Sequence, residues 1–221
     1  MKVFISILLF LNFVLRAQQN TEGVFSLRPA LGINACQVHG DSYSGFHKAG
    51  IFGGVAVNTR FSSRASLDIG FYFSQKGARH NPNPEKGDYN FYFLNLNYID
   101  LPFSLNYQLN KDYFITLGPS IAYLASYYEE INYVNYTGSY NFNKFEYGVN
   151  LGLGKKIKER FFVEVRTSNS IYPIRGYGGF TSTVFYPNPI AQFFNKGFYN
   201  NVLTIFASYK LTLKKKTSAQ Q

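Results

Sequence analysis

Val202-Leu-Thr-Ile-Phe-Ala-Ser-Tyr-Lys-Leu-Thr-Leu213 alternates along its length. Leu203, Ile205, Ala207, Tyr209, Leu211 and Leu213 form one row, and Thr204, Ser208, Lys210 and Thr212 form the other, with Phe206 among them. Successive side chains of an extended chain point to opposite faces, so the stretch predicts a strand with one apolar and one mostly polar face. The pattern recurs seven times upstream. Phe25, Leu27, Leu31, Ile33 and Ala35 oppose Ser26, Arg28, Gly32 and Asn34, and Ile51, Val55, Val57 and Phe61 oppose Gly54, Asn58 and Arg60. The apolar rows that follow are Leu67 to Phe73, Ile99 to Tyr107, Ile115 to Tyr123, Phe145 to Leu153, and Phe161 to Val165.

Eight strands need seven connections, and these sort by length. Residues 62–64, 110–112 and 158–160 are short and turn-like, whereas 38–48, 79–91, 128–143 and 173–199 are long and polar or aromatic. Short and long alternate strictly. Outer-membrane barrels place short turns at the periplasmic end and long loops outside. The pattern therefore predicts an all-β fold: an eight-stranded antiparallel up-and-down transmembrane β-barrel. Closure suits lipid, where every backbone polar group needs an internal partner. Pro29, Pro102 and Pro119 fall inside the predicted strands, where each removes a ladder donor; bulges or strand ends are expected there.

The start of the chain agrees with export. Met1-Lys2 precedes a nearly unbroken apolar run from Val3 to Leu15, and Leu15-Arg16-Ala17 leads into Gln18. Residues 1–17 read as a signal peptide, leaving 18–221 as one barrel domain. Loss of Lys2 and Arg16 takes the basic count from 22 to 20 against 12 acidic residues, a net charge of +8 rather than +10. That excess on an exported chain does not point to nucleic acid as a partner. Aromatic residues make up 19% and charged residues 15% of the chain, a balance suited to a surface that meets something apolar. The single cysteine, Cys36, permits no intramolecular disulfide, and it lies too far beyond the apolar run to serve as a lipoprotein anchor.

Parity assigns Arg28, Arg60, Asp68, Lys76, Asp100, Glu146, Lys156, Glu164, Arg166 and Lys210 to the inside. An interior of eight strands is just wide enough for side chains to fill. A plug of ion pairs is the expectation, with a narrow, slightly anion-preferring water path as the alternative. Gly53, Gly54, Gly148, Gly152 and Gly154 would make room for bulky inward neighbours or allow bends. No cofactor is implied. Gly152-Leu-Gly154-Lys-Lys and Gly176-Tyr-Gly178-Gly179 resemble phosphate loops, but neither opens a helix-like segment. His39, Asp41 and Ser42 share the first long loop, but a catalytic triad needs geometry that spacing does not supply. His39, His47 and His80 show none of the usual metal-ligand spacings.

At the outer rim, Lys48, Arg79 and Lys86, with Lys76 and His80 nearby, are candidates to meet lipopolysaccharide phosphates. Tyr92, Phe93, Tyr123, Tyr127, Tyr128, Tyr172 and Tyr199 lie near strand ends and are expected to form an aromatic girdle. Phe180, Phe185, Tyr186, Phe193, Phe194 and Phe198 crowd the last long loop, which suggests a cover over the barrel mouth or contact with an envelope partner.

Gly70-Phe-Tyr-Phe-Ser-Gln-Lys-Gly-Ala-Arg79, Asn97-Tyr-Ile-Asp-Leu-Pro-Phe-Ser-Leu-Asn-Tyr107 and Leu117-Gly-Pro-Ser-Ile-Ala-Tyr123 resemble the PorT-type, OmpX-like outer-membrane β-barrels of Bacteroidota. The resemblance implies the eight-stranded barrel and an outer-membrane location, but no substrate. Three non-catalytic roles compete: a structural, adhesion or envelope-assembly barrel; a narrow passive pore for small solutes; and a secreted lipocalin-like barrel. A lipid enzyme dependent on His39 is the catalytic alternative.

Overall fold

The computed structural model describes residues 25–177 and 196–212. The signal-peptide reading and most of the ring-rich last loop therefore lie outside the described residues. Eight long strands carry the fold. They are β1 (Phe25–His39), β2 (Lys48–Arg60), β3 (Ala65–His80), β4 (Tyr92–Gln108), β5 (Tyr113–Ile131), β6 (Phe145–Lys158), β7 (Phe161–Ser170) and β8 (Gly197–Tyr209). Each pairs antiparallel with the next. The ladder Ala30↔Ser208 to His39↔Tyr199 joins β1 to β8 and closes the barrel. Leu211–Thr212 continues the seam by pairing with Ser26 and Leu27.

The alternation read in the sequence becomes an inside and an outside. Leu31, Ile33, Ile69, Phe71, Phe103, Leu105, Leu151, Leu153 and Ile205 are exposed on the outer wall, and Arg28, Asp68, Asp100, Glu146 and Arg166 are buried within. Rings border the apolar belt at both ends: Tyr107, Tyr113, Phe161 and Tyr209 at the turn end, and Phe73, Tyr123, Phe145 and Tyr147 at the loop end.

On β4 the apolar row changes sides. Ile99, Phe103, Leu105 and Tyr107 face out, whereas Tyr92, Leu94, Leu96 and Tyr98 are buried inside. The chain keeps alternating throughout; only its chemistry inverts, at Tyr98/Ile99. Above that point the outer wall becomes amide-rich: Gln75 and Asn95 donate to Asn97 Oδ1 at 3.2 and 3.4 Å, and Asn97 donates to Ser126 Oγ at 3.0 Å. A wall that is polar outside and apolar inside is that of a water-soluble barrel. β3, β4 and β5, with 16, 17 and 19 residues, thus exceed the ~9–11 needed to cross a bilayer.

The prolines depart from expectation. Pro29 faces Val55, Pro102 faces Ser120 and Pro119 faces Val149, with register preserved on either side. The shift between β4 and β5 falls instead at Asn97/Tyr98, which pair with Ser126 and Leu124 and leave Ala125 extra. Such a bulge reverses the facing of everything beyond it. The strands also reach into the residues expected as long loops, β1 to His39, β2 from Lys48, β3 to His80, β5 to Ile131 and β8 from Gly197.

Candidate functional site: the filled interior and its outer cap

At the turn end, Arg28 donates from Nη1 to Asp68 Oδ2 at 2.7 Å and from Nη2 to Ser208 Oγ at 3.2 Å, and its guanidinium lies 4.6 Å from the Phe162 ring centre. Asn58 donates to the other Asp68 oxygen. The next layer holds Phe52, Tyr72 and Phe206, with ring centres 4.7 and 5.1 Å apart. Arg166 stands 4.8 Å over Phe206 and is bound to Glu164 at 2.8 Å. Cβ atoms on Gly152 and Gly154 would run into Glu164 and Phe114, so these glycines make the room.

Midway along the barrel, Lys76 Nζ sits 2.9 Å from Glu146 and 3.5 Å from Asp100, with all three side chains less than 10% exposed. Asn200 donates to the second Glu146 oxygen at 2.6 Å. Thr204 donates to Asn34, which donates in turn to Ser74 at 3.1 Å. Burying charge is costly unless it is paired and hydrogen-bonded, and here each charge has partners. Above this layer Val38, Ala78, Leu94, Leu96, Tyr98, Leu124 and Ile174 fill the bore with apolar atoms.

The loop end is capped by a pair that sequence parity did not find. Glu129 is fully buried and accepts two hydrogen bonds from Arg175 Nη1, at 2.7 and 2.8 Å, and one from Tyr92 at 3.1 Å. The Arg175 guanidinium lies 4.2, 4.7 and 5.1 Å from the Phe198, Phe142 and Tyr140 ring centres. Parity carried up from Ile121 and Tyr123 puts Glu129 outside; the extra Ala125 turns it inward. Arg175 lies beyond any strand pattern, so no periodicity could have placed it.

Three residues of the inward parity lie at the turn-end mouth rather than deep inside: Arg60 is exposed and Lys210 half-buried where they line that mouth, and half-buried Lys156 turns to Glu159 at 3.2 Å. Lys48 is only 3% exposed: it stands across from Cys36, packs beside Gly77, donates to the Ala49 carbonyl and lies 6.0 Å from the Phe93 ring centre. A side chain so enclosed does not present an ammonium to lipopolysaccharide. Arg79 and Lys86 are exposed, Arg79 donating to Asn81 at 3.0 Å and Lys86 closing a 3-10 turn at Pro84–Lys86. Tyr92 and Tyr199 are buried and Tyr127 packs against the apolar plug, so these three leave the expected girdle. Tyr123, Tyr128 and Tyr172 remain exposed.

In the first loop, Asp41 Oδ1 accepts from the Tyr43 amide at 2.9 Å, which makes Asp41-Ser42-Tyr43 a tight turn rather than part of a triad. Tyr43 stacks on His80 at 4.3 Å, and His80 binds Asp88 at 2.6 Å. Asp41 Oδ2 is buried without a partner, and burial pushes its carboxyl up from 3.8 to about 6 against the opposing Tyr43 amide, His39 and Arg175. A raised carboxyl favours the folded loop fully below the unfolded value, and that contribution is lost as pH rises through about 6. The protection factors of residues 40–47 in hydrogen exchange, which take out the intrinsic pH dependence of amide exchange, are therefore expected to be smaller at neutral pH than near pH 4. Asp41→Asn should flatten that difference; a loop whose opening ignores pH in the native protein would contradict it.

Solved structures similar to this chain include Neisserial surface protein A, at 9% identity over 87% of this chain and 100% of that one, with TM-score 0.47. The attachment invasion locus protein Ail of Yersinia pestis is similar at 10% identity over 86% and 100%, TM-score 0.46. CarO of Acinetobacter baumannii is similar at 9% over 83% and 97%, TM-score 0.42. Among curated proteins, none matches the sequence. A family model described as an outer membrane protein beta-barrel domain matches residues 16–175, well over half of the 221. The inward polar column, the outward apolar belt and this match agree: the chain belongs to the outer membrane protein beta-barrel domain family.

Proposed function

We propose that the protein is a non-conducting, non-catalytic outer-membrane barrel whose loop end stands clear of the membrane and engages another component of the envelope or an external surface. One observation carries this reading: beyond its turn-end mouth the bore is filled, by paired charges below and apolar side chains above, while β3 to β5 lift a polar-walled rim beyond the apolar belt. A passive pore needs a continuous water path, and the Leu94, Leu96, Tyr98 and Leu124 layer interrupts it. The outward apolar belt is the reverse of a secreted ligand-binding barrel, which turns its apolar side chains inward. Exposed Arg79 and Lys86 are the cations placed to meet lipopolysaccharide phosphates, through charge-assisted hydrogen bonds.

The test is conductance in planar bilayers, with insertion verified by heat-modifiable gel mobility. Folded protein is expected to give no resolved channel steps. Reproducible steps would instead establish the pore.

A further inference from the structure

At its turn end the interior opens into a cavity of about 60 Å³, walled by Arg28, Arg60, Arg64, Asn58, Asn106 and Lys210. Four of these side chains are cations, and no carboxylate lines the space. Asp68, one layer in, already accepts from Arg28 and Asn58. Among the described residues Arg60, Arg64 and Lys210 take part in no ion pair. Cations gathered in one recess repel unless an anion joins them. Everything missing from this recess is supplied by one kind of guest: a compact anion rich in acceptor oxygens.

We propose that this periplasmic vestibule binds a phosphate group, with Arg60, Arg64 and Lys210 supplying the charge at the mouth and Arg28 closing the inner wall. The volume, room for about four waters, suits one tetrahedral oxyanion and not a whole sugar or nucleotide. The group could arrive as free periplasmic phosphate or as the headgroup of an inner-leaflet lipid.

The experiment uses the mature protein folded in a neutral detergent and titrated calorimetrically with inorganic phosphate, at ionic strength held constant with chloride. In parallel, the protein in nanodiscs is titrated with short-chain phosphatidic acid. Saturable one-to-one binding of inorganic phosphate is expected, weakened roughly tenfold for each cation removed in Arg64→Gln and in the triple variant Arg60→Gln, Arg64→Gln, Lys210→Gln. Heat-modifiable mobility checks that each variant folds, and Arg64→Gln alone suffices if the triple variant does not. Binding of the lipid but not of inorganic phosphate, with the same loss in the variants, identifies the headgroup as the source. No saturable binding of either probe, or binding unchanged in the folded variants, overturns the proposal. Conductance does not enter this test, so its failure is separate from that of the non-conducting reading.

Discussion

Lys76→Ala is expected to cost the barrel about 3–5 kcal/mol, the range found when one partner of a buried ion pair is removed. Lys76 is the cation shared by Glu146 and Asp100, at 2.9 and 3.5 Å, in a layer sealed from solvent above by apolar side chains. Its removal strands two carboxylates that repel each other. Lys76→Met combined with Asp100→Asn and Glu146→Gln keeps most of the volume and strands no charge, so its cost should be far smaller. The comparison separates charge from packing. Urea unfolding in lipid vesicles, followed by the gel shift, reads both. A Lys76→Ala protein within about 1 kcal/mol of wild type would mean that the carboxylates find protons or water at little cost, and the layer would not be the sealed one described.

Glu129→Ala is expected to act as strongly, but locally. It leaves the Arg175 guanidinium in a cage of three rings without a counter-ion, and it deprives Tyr92 of its acceptor. The wall ladders do not depend on Glu129. The expected result is a barrel that retains its gel shift while residues 132–144 and 171–177 become sensitive to protease, a sub-global opening stabilised by up to about 3–5 kcal/mol in the native protein. Glu129→Gln keeps an acceptor for Tyr92 and should open less. Equal cleavage rates in wild type and both variants would show that the Tyr140, Phe142 and Phe198 rings hold Arg175 without the carboxylate.

The barrel was legible because its signal is periodic and repeated. The stretch 202–213 displays two faces, and the observed ladders from Ser208 to Tyr199 keep the parity it announces. Parity also brings Arg28, Asp68, Lys76, Asp100, Glu146, Glu164 and Arg166 to buried positions. It fails where one strand does not hold the needed information. The bulge at Ala125 is visible only against β4, and it moves Glu129 from the outer to the inner face. Tyr92 and Tyr199 look like interface rings in sequence because they end strands, but those strands rise past the belt, where inward positions are apolar. Lys48 looks like a rim cation, yet its place opposite Cys36 closes it in. The inversion at Tyr98/Ile99 was present in the letters: Leu94, Leu96 and Tyr98 alternate on one parity, and Ile99, Leu101, Phe103 and Leu105 on the other. A single strand that swaps its apolar parity without a turn marks where lipid gives way to water.

That boundary supplies the most direct test of the account. Single cysteines placed at 95, 97, 99, 101, 103 and 105 in a Cys36→Ala background, spin-labelled and reconstituted in bilayers, are probed with oxygen and with a water-soluble nickel chelate. Labels at 99 to 105 are predicted to collide with oxygen and to be shielded from the chelate, and labels at 95 and 97 should show the opposite balance. Chelate access at 101 and 103 equal to that at 95 would contradict a membrane-embedded belt and, with it, the reading of the whole outer wall.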